Sequence, residues 1–320
     1  MPLANAPRPN RVVICVNPGA GARGSRHKVD RLVQRLSSER YLVEVATDLG
    51  AASDLAEKWH TTGALRALVA AGGDGTVAEL VNRTQIGLPI TTLPLGTENL
   101  LARNFAISAD PDDLCRTVMH GRLVRLDAGR ASGRVFVIMI GCGFDAEVVR
   151  RLHGRRQGHI SRWSYARPIV QAIRNYQYPE LRLYWADANG TGAGESLCAS
   201  WAFLFNLPVY GGGLRIAPHA IPDDGLLDLC AFRHGTFVHG LRYLGHVIRG
   251  SHHRLADCTT ARLARVRIES HQEVPFQLDG DPGGFLPLDV EVLAGRLCLL
   301  IPAVGERDAK ANQPAVRAEE

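Results

Sequence analysis

The residues best suited to chemistry in this chain are Gly72-Gly73-Asp74-Gly75-Thr76. They interrupt an apolar run, Ala67 to Ala71, that reads as a short buried strand, and Val77, Leu80 and Val81 resume after them at helical spacing. A strand, a glycine turn and a helix start leave backbone N–H groups pointing outward, and the helix dipole favours an anion there. Gly72, Gly73 and Gly75 let a phosphate approach the main chain, where a Cβ would stand in its way. Asp74 carries the wrong charge to hold a phosphate, so beside one it calls for a Mg²⁺, or the water around one, in between. The plain structural alternative is an Asp-Gly turn in which Asp74 only caps its helix.

Other elements must position this loop. Arg11 to Val16, Tyr41 to Ala46 and Pro89 to Leu93 read as further strands. They run into a glycine-rich loop from Asn17 to Gly24, into Thr47-Asp48, and into Pro94-Leu95-Gly96-Thr97-Glu98-Asn99. Helices are predicted with Val29, Leu32, Val33 and Leu36 on one face, around Leu55 and Trp59, and through Arg103. Strand–helix alternation with short loops specifies a parallel, helix-covered sheet. Its loops then collect at the carboxyl edge, where open α/β folds bind ligands. The rhythm changes at Leu123. Strands are predicted at Leu123 to Ala128, Val135 to Ile140, Leu181 to Ala186, Ala199 to Phe205, Leu226 to Phe232, Ala264 to Ile268, Glu273 to Leu278 and Leu288 to Val292. Helices fall near Phe144–Leu152, Ile160–Tyr176 and Phe237–Ile248. That pattern predicts an antiparallel β-rich second domain. The domains are set at 10–122 and 123–302, with a polar, disordered tail at 303–320.

Composition narrows the function. A chain of 320 residues, 46% hydrophobic and 22% charged, buries a sizeable core and fits two domains. A net charge of +5 leans mildly toward anionic partners such as nucleotides or acidic headgroups. Seven cysteines, odd in number and without a C-x-x-C, exclude a disulfide framework or zinc site and suit a reducing cytoplasm, as buried apolar residues. No apolar run approaches the ~18 residues of a membrane span, and the N-terminal stretch lacks a signal-peptide core. The densest basic cluster is Arg150, Arg151, Arg155, Arg156 and Arg162, interleaved with His153, His159 and Trp163. It is read as a solvated helix face or as a peripheral contact with an anionic membrane. No recognition helix or stacking platform accompanies it, which argues against nucleic acid. His252-His253 has no partner ligands at metal spacing and is read as surface histidine.

Seven motifs in order make the chain resemble the diacylglycerol kinase-like lipid kinases, the bacterial branch related to sphingosine and ceramide kinases. They are Val16-Asn17-Pro18 with its glycine loop, Gly72-Gly73-Asp74-Gly75-Thr76, Leu95-Gly96-Thr97-Glu98-Asn99, Gly141-Cys142-Gly143-Phe144-Asp145-Ala146, Tyr210-Gly211-Gly212-Gly213, Asp224-Gly225-Leu226-Leu227-Asp228 and Leu278-Asp279-Gly280-Asp281. Gly-Gly-Asp-Gly-Thr alone is shared with NAD kinases; the ordered set is far more specific. The resemblance implies a parallel-sheet α/β nucleotide-binding domain followed by an antiparallel β-sandwich-like domain, and ATP- and Mg²⁺-dependent transfer of phosphate to a primary hydroxyl of a lipid such as diacylglycerol.

The same resemblance implies roles. Asn17, Thr47, Thr97 and Asn99 would contact ATP, and Gly72 and the segment Gly73, Asp74, Gly75, Thr76, Val77, Ala78, Glu79 would wrap its phosphates. Asp281 would be the general base and Asp279 would join the Mg²⁺–water network. Asp224, with the carbonyls of Ile221 and Leu226, would hold a structural Mg²⁺; the alternative is that Asp223-Asp224-Gly225 is simply a turn. Two positions depart from the family pattern. Leu100 stands where an aspartate is common, leaving Glu98 as the available substitute, and Asp281 stands where glutamate is usual. On this reading Asn at position 74 or 281 abolishes turnover and leaves the fold intact. The lipid would be met at a membrane surface by a cytoplasmic or membrane-peripheral protein, and a homodimer stays open. The rival readings are an NAD kinase and a non-catalytic lipid- or nucleotide-binding protein of the same fold.

Overall fold

The computed structural model describes residues 9–17, 25–153, 176–185 and 194–303. Four strands, β1 (Arg11–Val16), β2 (Leu42–Ala46), β3 (Leu65–Gly72) and β4 (Pro89–Pro94), pair in parallel in the order β2-β1-β3-β4. The helices α1 (Ser25–Ser38), α2 (Leu49–Thr61) and α3 (Asp74–Arg83) make the crossovers. α1 buries Val29, Leu32 and Leu36 and turns Arg31 and Arg35 outward. β3 is apolar on both faces, and Ala67 to Ala71 are fully buried, as a central parallel strand requires. A short α4 (Leu100–Asn104) follows β4. A further helix, α5 (Pro111–His120), goes beyond the sequence reading, although Asp110 caps it and Pro111 opens it.

The second half contains β5 (Arg122–Ala131), β6 (Arg134–Phe136), β7 (Met139–Gly143), α6 (Phe144–His153), β8 (Leu181–Trp185), β9 (Glu195–Ala199), β10 (Trp201–Phe205) and β11 (Leu227–Phe232). It continues with α7 (Phe237–Ile248), β12 (Cys258–Leu263), β13 (Arg265–Glu269), β14 (Pro275–Leu278), β15 (Asp281–Phe285) and β16 (Leu288–Ile301). Six strands form an antiparallel sheet in the order β12-β11-β10-β7-β14-β15. It packs on β8, β13 and the first half of β16 through Ile140, Leu183, Leu204, Leu229, Ile268 and Leu288, which gives the sandwich.

The halves are not separate sheets. β16 runs nine residues past the predicted strand end, and its last turns pair in parallel with β4 through Cys298↔Pro89 and Leu299↔Ile90. A register shift between Leu293 and Leu297 on β5, with Gly295 at φ 60°, bends the strand from one half into the other. One ten-stranded sheet therefore runs through both halves and joins the parallel half to the sandwich. No helix among the described residues is long and apolar enough to cross a membrane. All but the last residue of the expected helix Ile160–Tyr176, and nearly all of the predicted tail, lie outside the described residues.

Candidate active site

Asp74 opens α3 directly after β3, with Gly73 as its N-cap. Its carboxylate does not cap that helix. One oxygen accepts from the backbone N–H of Leu100 at 2.8 Å and the other from Leu101 at 3.0 Å, so Asp74 caps α4 and ties the loop after β4 to the loop after β3. Burial raises its pKa, the two amide bonds oppose the shift, and the Glu98 charge adds to it. The main chains of these loops touch: a Cβ on Gly96 would lie 2.7 Å from the Gly73 Cα. Asn99, in the left-handed region at φ 49°, holds Gly96 from both sides, accepting from its N–H at 3.0 Å and donating to its carbonyl at 2.8 Å.

Other predicted contacts sort by position. Asn17 donates to the Thr76 hydroxyl at 3.1 Å, and that hydroxyl packs against Gly72. Both residues therefore brace the turn. Val77 is in the core, Ala78 is half-buried, and Glu79 pairs with Arg83 on the outer face of α3. Thr47 and Thr97 are exposed at the ends of β2 and β4, on the same carboxyl edge.

The second half brings a hairpin to this edge. Leu278 pairs with Asp281, so Asp279-Gly280 is a two-residue turn with φ 50° and 88°, the geometry for which Asp-Gly is favoured. The Asp279 carboxylate accepts from three successive backbone N–H groups, Val137 at 2.7 Å, Ile138 at 2.8 Å and Met139 at 2.9 Å. Although the residue as a whole keeps some exposure, its carboxyl is enclosed; burial, helped by the Asp74 charge and opposed by the three amides, pushes its pKa up to about 6. The Gly280 N–H donates to Gln277 at 2.7 Å, and Gln277 donates to Asp145 at 3.0 Å. Asp145, buried and raised in pKa by burial, also accepts from the Tyr210 hydroxyl. Anchored at both turn residues, the hairpin presents Asp281 to the phosphate loop: a carboxylate oxygen lies 3.2 Å from where a Cβ on Gly75 would stand. Sequence reasoning placed no role on Asp145, Tyr210 or Gln277, although the first two sit in motifs it singled out.

Comparison with known proteins agrees with this arrangement. Residues 11–131 match a family profile described as a diacylglycerol kinase catalytic domain, and residues 138–301 match one described as a YegS C-terminal NAD kinase beta sandwich-like domain. The chain belongs to the diacylglycerol kinase-like lipid kinases. It is 26% identical over 275 residues to a probable YegS-like lipid kinase of Chromohalobacter salexigens, covering 84% of this chain and 86% of that one. It is 24% identical over 306 residues to a diacylglycerol kinase of Bacillus subtilis, covering 91% and 96%. A crystal structure of a diacylglycerol kinase from Bacillus anthracis superposes with a TM-score of 0.68 at 20% identity, covering 91% and 97%. Yeast NADH kinase superposes with a TM-score of 0.53 at 12% identity, covering 98% and 91%, a likeness of fold.

Within this lipid kinase, the two expected metal positions differ. Where the loops meet, the Asp74 charge raises the pKa of Asp279, the Glu98 charge raises that of Asp74, and Asp281 adjoins Gly75. Among the described residues the buried Glu98 Oε2 has no hydrogen-bond partner and forms an ion pair with Arg103 at 3.6 Å. Convergent carboxylates with an orphaned oxygen fit a hard divalent cation. Asp74 and Asp279 both already accept backbone N–H groups on both oxygens, so each would face the ion only through its remaining lone pairs or through water. At Asp224 the fit is weaker. One oxygen accepts from its own loop at Leu226 N–H, 3.0 Å away, and the other pairs with the Arg262 guanidinium. Asp127 closes the same loop, accepting from Gly225 at 2.7 Å and from Gly295 at 2.7 Å while its N–H donates to the Pro222 carbonyl. Asp224 is thus engaged in a turn beside Arg262, and the metal role expected for Ile221, Asp224 and Leu226 would require that ion pair to open.

Three smaller expectations change. Arg150 and Arg151 both pair with the buried Glu147; the side chain of His153, and Arg155, Arg156, His159, Arg162 and Trp163, lie outside the described residues. His252 is buried and bonds the Ile216 carbonyl at 2.7 Å, a structural histidine rather than a surface one. The seven cysteines are all free, as expected, but Cys198 is exposed and Cys258 half-buried.

Proposed function

We propose that this lipid kinase transfers the γ-phosphoryl group of ATP to a primary hydroxyl of a diacylglycerol-like lipid. The observation that carries the reading is the placement of Asp281 against Gly75 by a hairpin from the other half of the chain. A nucleotide on the carboxyl edge would meet Thr47 and Thr97 hydroxyls and the backbone amides of the Gly73–Gly75 turn, donors that bind phosphate oxygens without adding negative charge. Asp74, Glu98 and Asp281 would hold Mg²⁺, which supplies charge neutralisation between phosphate and carboxylates. Asp281 accepts the proton of the lipid hydroxyl as its oxygen bonds to the γ-phosphorus and the bond to the ADP oxygen breaks. A carboxylate is a weak base, and late proton removal makes it adequate in a loose transition state. Asp279, Gln277, Asp145 and Tyr210 keep that carboxylate in place, which matters because ~1 Å of misplacement is costly.

The names of the relatives support a lipid acceptor and point to diacylglycerol. The test is transfer of labelled phosphate from ATP with Mg²⁺ to a panel of diacylglycerol, sphingoid base and ceramide in mixed micelles, with NAD alongside. Labelled phosphatidate is expected; labelled NADP, or transfer undiminished in Asp281→Asn, would overturn the assignment. The reading places the protein in the cytoplasm, peripheral to the membrane that holds its acceptor.

A further inference from the structure

α7 is a surface helix turned the wrong way for a protein surrounded by water. Gly240, Tyr243 and Val247 bury one face against Trp201 and Phe232. Phe237, Leu241, Leu244 and Ile248, spaced at helical intervals with Val238 beside them, form a second apolar stripe that is exposed among the described residues. Val238 is 72% exposed, Ile248 66% and Leu241 50%. The outward face of α1 carries Asp30, Arg31, Gln34 and Arg35, the ordinary pattern. Exposed large apolar residues gathered on one helix mark an interaction surface.

Its charge identifies the occupant. From Arg233 to Ala256 the chain has four arginines, five histidines and no acidic residue. Arg233, Arg242, Arg249 and Arg254 are all exposed. Arg242 pairs with Asp257, and Arg249 folds back to the Gly245 carbonyl at 3.1 Å. Two copies of this face would set arginine against arginine, which disfavours self-association. A helix with an apolar stripe flanked by arginine is the pattern that lies in the plane of an anionic lipid surface. At about 1.5 Å per residue, twelve residues are too short to span a bilayer but long enough to lie along one.

We infer that α7 is an interfacial helix that docks the enzyme on an anionic bilayer through Val238, Leu241, Leu244 and Ile248, with Arg249 and Arg254 meeting headgroup phosphates. This rests on the lipid kinase reading for its purpose, but the docking can be measured without turnover. Beneath α7, Trp201 stacks on Tyr178 and contacts Phe144, which directly precedes Asp145 of the network behind Asp281. The docked face and the catalytic hairpin are thus joined through packed side chains.

The test is flotation of the purified chain with vesicles of phosphatidylcholine alone or with phosphatidylglycerol, without ATP or diacylglycerol. Wild type should bind the anionic vesicles, and the surface variant V238S/L241S/I248S should lose at least about tenfold in partitioning while keeping its melting temperature. R249E/R254E should lose binding to anionic vesicles only. Phosphorylation of a short-chain, monomeric diacylglycerol should be unchanged in the serine variant, while turnover on vesicles falls. Wild type that ignores anionic vesicles, or a serine variant that binds like wild type, overturns the docking. So does a wild-type dimer that the serine variant converts to monomer without loss of vesicle binding. If neither acceptor is phosphorylated but α7-dependent binding persists, the kinase reading fails and the docking stands.

Discussion

Asp74-Gly75 and Asp224-Gly225 are the same dipeptide in two loops that the family pattern associates with metal. Around Asp74 the neighbours are carboxylates: Glu98 with an orphaned oxygen, Asp279 across the domain boundary and Asp281 on the hairpin. Around Asp224 the neighbour is Arg262, and the loop closes on Asp127. The first site gathers four carboxylates whose described partners are backbone amides and one cation, Arg103 beside Glu98, an arrangement suited to the proposed divalent cation. At the second, Asp224 already has a guanidinium partner and Asp127 is held by backbone N–H groups. Local sequence is therefore a poor guide to which Asp-Gly turn takes a metal; what counts is the charge that distant elements bring to it.

Removing the proposed base gives the largest break. Asp281→Asn should cut kcat for phosphate transfer by about 10²–10⁴-fold with little change in melting temperature, read by initial rates and thermal unfolding. Asp74→Asn should lower activity and also destabilise the fold, by about 1–3 kcal/mol, because its single amide oxygen can accept from only one of Leu100 and Leu101 and its NH₂ faces the other N–H. An unchanged melting temperature in that variant would show that Asp74 does not tie the two loops. This revises the sequence-based expectation that both substitutions spare the fold.

Asp279 sharpens the comparison through pH. Its folded pKa of about 6 lies above the usual 3.8, so its contribution to stability is full below pH 4 and fades as pH rises through 6. Asp279→Asn should therefore cost about 1–3 kcal/mol more at pH 4 than at pH 8, measured by denaturant unfolding. The smallest effect is expected at the second loop. Mg²⁺ should raise the melting temperature of wild type, Glu98→Gln should blunt that rise, and Asp224→Asn should leave it intact while costing about 1 kcal/mol or less, since Arg262 is half exposed. A Mg²⁺ response lost in Asp224→Asn would place the metal in that loop.

The strands that the sequence reading missed share one property. β9, β12 and β15 are all sheet edges. Glu-Ser-Leu-Cys-Ala, Cys-Thr-Thr-Ala-Arg-Leu and Asp-Pro-Gly-Gly-Phe carry too little apolar alternation to register, and an edge strand needs little because one side faces water. The continuation of β16 was missed for a different reason: Ala294-Gly295 reads as a stop, and only pairing with β5 and β4 makes it a bulge.

By itself the sequence determined the parallel half, the switch to antiparallel strands, the phosphate turn and the order of the family motifs. These depend on periodicity and turn chemistry, which are local. Tertiary structure decided what each carboxylate does. Asp74 caps a helix 26 residues away, Asp279 binds amides some 140 residues away, and Asp224 meets Arg262 38 residues on. It decided also that α7 keeps an apolar stripe exposed among the described residues, since burial is a property of neighbours. Charge and burial act through space, and the order of residues along the chain leaves those distances open.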